Sequence, residues 1–306
     1  MPAPPTFPRG RFVWHELMTT DPDAAVGFYS KVVGWKVQAR KDDSSYRLRH
    51  DSPYRLWIAG SSPMGGLMRL PEQARRMGAP PHWMPYVAVP DVDATVRQAQ
   101  GLGARVYVSP QDIPEGRFAV LADPQGATFS VFKPAPAGSP PPDSDDVKVG
   151  GFSWHELVTT DWKRAWDFYR ALFGWEHSSS MEMGPGNTYW MFKRGGGTTV
   201  LGGMYNKSGD MPAPPHWLCY VLVPNADRAA ETAARAGGKI VMGPMEVPGG
   251  DRIAGGLDPQ GAAFAVHARA AQAVRPPAKK KKAPAKKTKA RAKRSTARKT
   301  KPKRRR

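Results

Sequence analysis

The 306-residue chain holds 46 Lys and Arg against 26 Asp and Glu, a net charge of +20, with one cysteine. The lone Cys219 excludes an internal disulfide and a cysteine-rich metal cluster, and no apolar run is long enough to span a bilayer. The length suits two domains of ordinary size, and the opening residues lack the apolar stretch of a signal peptide, which points to the cytoplasm.

From the start of the chain, Arg11 to Thr19 alternates as a strand does, and Thr20-Asp21 supplies a cap ahead of the helical run through Phe28-Tyr29. Gly34 stops that helix, and β-rich segments follow at 35–40, 45–50, 54–59 and 64–69. A strand at 82–89 leads to Asp91-Val-Asp93, which caps a helix ending at Gly101 and Gly103. Strands near 104–108, 117–122 and 127–133 complete a β-α-β-β-β order made twice.

The whole pattern then returns. Trp14-His-Glu-Leu-Met-Thr-Thr-Asp21 reappears as Trp154-His-Glu-Leu-Val-Thr-Thr-Asp161. Phe28-Tyr29 with Gly34-Trp35 reappears as Phe168-Tyr169 with Gly174-Trp175, and Pro80-Pro-His-Trp83 as Pro214-Pro-His-Trp217. Asp123-Pro-Gln-Gly126 reappears as Asp258-Pro-Gln-Gly261. Matches kept in this order are a duplication. The expected organisation is a first module at 10–133, a Pro-rich linker at 134–149, a second module at 150–268 and a tail at 269–306.

These motifs, with Val89-Pro-Asp-Val-Asp93, resemble the vicinal oxygen chelate superfamily of glyoxalases, bleomycin-resistance proteins and extradiol dioxygenases. The resemblance implies an α+β fold: paired β-α-β-β-β units whose mixed sheets curl into cups, with helices outside and the ligand inside. It also implies a divalent metal held by His, Gln or Glu on three strands. The positions that answer to those ligands are Trp14, Met84 and Ser130 in the first module and Trp154, Leu218 and Ala265 in the second. None of these side chains suits a hard or borderline cation, so no metal ligand and no cofactor is assigned. A displaced divalent metal on Glu16 and His82 is the disfavoured alternative, lacking an evident third ligand.

Strand alternation puts Glu16 on the face of Trp14, and His82 on that of Met84 and Tyr86; Glu156, His216 and Tyr220 repeat this. With Phe132 they describe a mostly apolar cup bearing a few polar groups, as small-molecule sites do. The candidate ligand-binding set is Trp14, His82, Met84, Tyr86, Arg117, Ser130, Trp154, His216, Tyr220 and Arg252. Glu16 and Glu156 are candidate general bases if the cup desolvates them. The competing reading ties each to a structural partner, with Arg117 and Arg252 as candidates. His15 and His155 alternate to the helix-covered face and read as packed structural histidines, and Cys219 as a buried thiol.

Residues 275–306 contain 18 Lys or Arg and no acid; taking those from the net +20 leaves +2 for residues 1–274. The tail has no aromatics or large aliphatics to offset ordering entropy, so it reads as disordered. Its composition is similar to linker-histone tails. Lys279, Lys280, Lys281, Lys282, Lys286, Lys287, Arg304, Arg305 and Arg306 would bind nucleic acid without base readout, through counterion release, which implies association with the nucleoid. A merely solubilising tail is the plainer alternative.

Three readings follow. The first is a metal-independent small-molecule-binding protein or enzyme tethered to nucleic acid. The second is a metal-dependent lyase or dioxygenase with rearranged ligands, and the third a nucleic-acid-associated structural protein. Catalysis stays open, and glyoxalase activity does not follow, because that chemistry uses the metal to stabilise an enediolate. Two modules can pair within one chain, so a monomer and a homodimer both suit the sequence.

Overall fold

The computed structural model describes residues 9–40, 53–135 and 147–270. The strand expected at 45–50, most of the linker, and the tail after Ala270, with the nine cationic residues named above, lie outside them. In the first module, one half is β1 (Phe12–Thr19), α1 (Pro22–Val32), β2 (Lys36–Ala39), β3 (Arg55–Ala59) and β4 (Ser62–Arg69). After a short α2 (Glu72–Arg76), the other half is β5 (His82–Ala88), α3 (Val92–Gly101), β6 (Arg105–Ile113), β7 (Gly116–Ala122) and β8 (Thr128–Pro134). The second module repeats this with β9 (Phe152–Thr159), α4 (Trp162–Phe173), β10 (Trp175–Glu182), β11 (Thr188–Arg194) and β12 (Val200–Asn206). It continues with β13 (His216–Leu222), α5 (Ala226–Arg235), β14 (Lys239–Glu246), β15 (Arg252–Leu257) and β16 (Ala263–Ala268).

Each module is one mixed sheet of eight strands, ordered β2-β3-β4-β1-β5-β8-β7-β6 and β10-β11-β12-β9-β13-β16-β15-β14. In the first, β1 and β4 run parallel, as do β5 and β8, while β1 and β5 pair antiparallel at the join of the halves. Helix caps stand where the sequence puts them. Asp21 accepts from the amides of Asp23 and Ala24, Asp161 from Lys163 and Arg164, Asp91 from Ala94, and Asn225 from Arg228. Two features go beyond the sequence reading. Helix α2 is held by Glu72 reaching Arg75 and Arg76, and β6 runs on to Ile113 because it pairs in a tight hairpin with β7.

The apolar cores cross between modules. One joins Phe129, Leu121 and Val96 of the first module to Leu157, Phe168, Tyr169, Trp175 and Trp217 of the second. The other joins Phe28, Tyr29, Trp35, Trp57 and Trp83 to Val221, Ala229, Phe264 and Val266. Phe28 of α1 stands edge-on to Phe264 of β16, and Phe168 of α4 edge-on to Phe129 of β8. Helices α1 and α4 therefore lie inside the molecule, each packed against the other module's sheet.

The repeated motifs turn out to clasp the modules together. Trp83 Nε1 donates to Tyr29 Oη (2.9 Å), whose proton goes to Asp258 Oδ2 (3.1 Å). The mirror chain runs from Trp217 through Tyr169 to Asp123, at 3.1 and 3.0 Å. An indole can only donate, so the direction of each chain is fixed. Trp35 donates to the Gly150 carbonyl and Trp175 to that of Gly10. Gln125, from the Asp-Pro-Gln-Gly turn, accepts from Thr159, Thr160 and Asp161 ahead of α4.

Candidate functional site

In the second cup a buried carboxylate is held by two phenols. Glu156 is 7% exposed; its Oε2 accepts from Tyr189 (2.8 Å) and its Oε1 from Tyr220 (3.1 Å). Trp154 Nε1 donates to Tyr189 Oη at 2.7 Å, so the single Tyr189 proton must point at Glu156. Burial raises the Glu156 pKa against the pull of both tyrosines, and it holds Tyr189 and Tyr220 well above the usual phenol range. The result is a proton-accepting group whose affinity for the proton is increased by its surroundings.

The first cup repeats the quartet. Glu16 Oε2 accepts from Tyr86 at 2.6 Å, and Trp14 Nε1 donates to Tyr54 Oη at 3.1 Å. Glu16 is 3% exposed, and its pKa too is raised by burial, opposed by Tyr86 and Tyr54. Gly66 and Gly203 leave room for these rings: a Cβ on either would stand 2.0 or 2.1 Å from Tyr54 or Tyr189 atoms.

The cups differ in what fills them. Met18, Tyr54, Met68, Leu70, Met84 and Tyr86 are buried together in the first, with Ala74 of α2 and Ala79 packed on them. Strand register matches Met18 to Val158, Met68 to Tyr205, Met84 to Leu218, Val120 to Gly255 and Phe132 to His267. Four of these five exchanges shorten or thin the side chain, and Tyr189, Tyr205 and Leu218 are half-buried where their counterparts are buried. At these positions the second cup is lined by the shorter side chains in four places and gains the phenol of Tyr205 and the imidazole of His267. His267, between Ser153 Oγ (2.9 Å) and Asp251 Oδ2 (2.8 Å), adds an imidazole to its wall.

Several sequence candidates do not reach the glutamates. Arg117 is engaged by Asp93 (2.7 Å) and Asp112 (3.0 Å), and Arg252 by Asp227 (2.6 Å). The partners of Glu16 and Glu156 are tyrosines instead. Ser130 lies beside Tyr86 in register but spends its hydroxyl on the Ala119 carbonyl (2.9 Å). His82 and His216 sit at the start of their strands, each Nδ1 within 2.8 Å of a proline carbonyl two residues back. Tyr54 and Tyr189 escaped the sequence reading, because the offset between modules shifts just before them.

The family's metal does not fit these cups. Trp14 and Trp154 turn their indoles to tyrosines, Ser130 is committed to backbone, and Met84, Leu218 and Ala265 offer no hard donor. Among the described residues, the group of three side chains that could hold a metal is His15, His155 and Cys219, on the opposite face of the sheets. Their ligand atoms lie within 4.8 Å of one another. His15 and His155 are buried, as expected, but they also meet each other, Nε2 to Nε2 at 2.7 Å.

Two eight-stranded cups in tandem define a two-module cup-sheet protein of the glyoxalase class of folds. Residues 14–132 match the glyoxalase-like domain family, and 151–266 match the glyoxalase/bleomycin resistance protein/dioxygenase superfamily. The anthracycline biosynthesis protein DauV of Streptomyces sp. is 30% identical over 278 residues, which cover 85% of this chain and 94% of that protein. The chain belongs to the glyoxalase/bleomycin resistance protein/dioxygenase superfamily. It is also 46% identical over 128 residues to CFP32 of Mycobacterium bovis, which carries the name glyoxylase; the match takes in 42% of this chain and 45% of that protein, just under half its length. The fold is shared with the Mn(II)-bound glyoxalase of Novosphingobium aromaticivorans, with a TM-score of 0.57 and 16% identity over 87% of this chain and 84% of that one. It is shared too with a variant of homoprotocatechuate 2,3-dioxygenase of B. fuscum, with a TM-score of 0.58 and 17% identity over 88% and 74%. No helix among the described residues is long and apolar enough to cross a membrane.

Glu156 makes a prediction about pH. Its folded pKa is raised above the ordinary 4.5, so its stabilising contribution is present below that value and lost as pH rises through the folded pKa. Glu156→Gln is therefore expected to gain melting temperature relative to the native chain as pH goes from acid to mildly alkaline. A constant or shrinking difference in scanning calorimetry would mean the carboxyl is not desolvated.

Proposed function

We propose that the second cup binds a planar, oxygenated aromatic molecule without a metal, and that Glu156 serves there as a proton acceptor. The observation that carries this is the Glu156–Tyr189–Tyr220 cluster, set in the cup whose lining residues Tyr189, Tyr205 and Leu218 are half-buried where their counterparts are buried. Trp154 and Tyr205 offer ring faces for stacking. The relative DauV is named for anthracycline biosynthesis, and anthracyclines are of this chemical class. The first cup, sealed by its own methionines, supports the pair structurally. Titration with 1,4-dihydroxyanthraquinone, followed by tryptophan fluorescence, is expected to give one site per chain. Trp154→Ala should weaken it at least tenfold and Trp14→Ala leave it unchanged; the reverse order would sink the assignment.

A second role rests on the tail. With 18 cations and no acid in residues 275–306, it would hold the chain on nucleic acid without sequence preference. If six to ten cations engage phosphates, a fourfold rise from 50 mM salt weakens binding by roughly 10³–10⁵. Deleting 275–306 should abolish retention on duplex DNA and leave the aromatic probe's affinity untouched.

A further inference from the structure

We propose that His15, His155 and Cys219 form a copper(I) site on the seam between the two modules. The site is separate from both cups and owes nothing to the family's metal positions.

The three side chains are fixed from several directions. His155 lies flat against Phe12, ring centroids 3.7 Å apart and 3° from parallel, and His15 against Phe152 at 3.6 Å and 19°. His155 Nδ1 faces the Leu201 carbonyl at 3.2 Å. A carbonyl only accepts, so in a neutral ring that nitrogen carries the proton and Nε2 keeps a lone pair aimed at the seam. His15 Nε2 then donates the proton of the 2.7 Å contact. Cys219 enters from β13, opposite His155 in strand register. Its counterpart in the first module is Pro85, so the seam holds one sulfur between two imidazoles.

The choice of ion follows from charge and ligand count. Two neutral imidazoles and one thiolate carry a single negative charge, and all three residues are at most 6% exposed. A monovalent ion leaves the site neutral, whereas zinc(II) would leave an uncompensated charge in an apolar interior. No fourth His, Cys, Asp or Glu joins the group among the described residues. Soft three-donor sites of sulfur and imidazole suit copper(I). Bonds of about 2 Å to each nitrogen, set at a trigonal angle, would move the two Nε2 atoms roughly 3.5 Å apart. On binding, the thiol proton leaves to solvent and His15 shifts its ring proton from Nε2 to Nδ1.

The test uses the full chain without an affinity tag, both expressed in copper-supplemented cells and titrated anaerobically with copper(I) against a chromophoric chelator. One copper per chain should resist the chelator, and X-ray absorption should show one sulfur and two nitrogen neighbours. Cys219→Ala, with an unchanged circular dichroism spectrum and melting curve, should lose that copper. No retained copper in either preparation overturns the proposal. So does copper that survives in Cys219→Ala, which would belong to the thioethers of Met18, Met68 and Met84, and so does zinc held in preference to copper.

Discussion

Residues 1–149 expressed alone are expected to run as a dimer or to precipitate, never as a folded monomer. Phe28, Tyr29, Trp35, Trp57 and Trp83 are each at most 7% exposed, and their cover includes Val221, Phe264 and Val266 of the other module. Burying one large apolar side chain is worth about 1.5–3 kcal/mol. Uncovering five puts at risk on the order of 10 kcal/mol, comparable with the whole stability of a domain. Tyr29 and Trp83 also lose the acceptor at the end of their hydrogen-bond chain, Asp258. A second copy could restore all of this, since Asp123 and Phe129 are the counterparts of Asp258 and Phe264. Light scattering after gel filtration, with circular dichroism, decides. A stable monomer with native-like spectra would show that each module carries its own core.

That interdependence marks the limit of what the residues disclosed. The duplication and the four long helices with their caps were legible, because each is written in local spacing, as with Asp21 before Pro22. Periodicity also sorted faces correctly, sending Glu16 to the cup and His15 away from it. It says which face is apolar and nothing about what covers it, so the motifs could not reveal that they meet across modules. Tyr189 pairs with Glu156 from a distant strand, through a contact 33 residues apart. Arg117 looked like a partner for Glu16 in the sequence, yet strand alternation and Asp93 turn it away. Long-range pairing needs the sheet order, which no local pattern contains.

Three glycines on two equivalent strands should then give three different phenotypes. Gly202→Ala is expected to destabilise the chain by more than about 4 kcal/mol, because its Cβ would stand 1.8 Å from the His155 carbonyl oxygen, and backbone in a central strand cannot step aside. Gly203→Ala meets only the Tyr189 ring, 2.1 Å away, and that ring is half-buried, so it is expected to turn aside. The sheet survives, but Tyr189 leaves Glu156 and Trp154. The dihydroxyanthraquinone affinity should fall about tenfold with the melting temperature nearly unchanged. Gly66→Ala meets Tyr54 in the same way, at 2.0 Å, but Tyr54 is 5% exposed among methionines and has nowhere to go. Overpacking of this kind costs about 1–3 kcal/mol, with no change in probe affinity. Binding lost in Gly66→Ala and kept in Gly203→Ala would move the ligand to the first cup, because the two substitutions make one chemical change on matching strands, although the Cβ at Gly66 also meets Glu16 Oε1 at 2.7 Å.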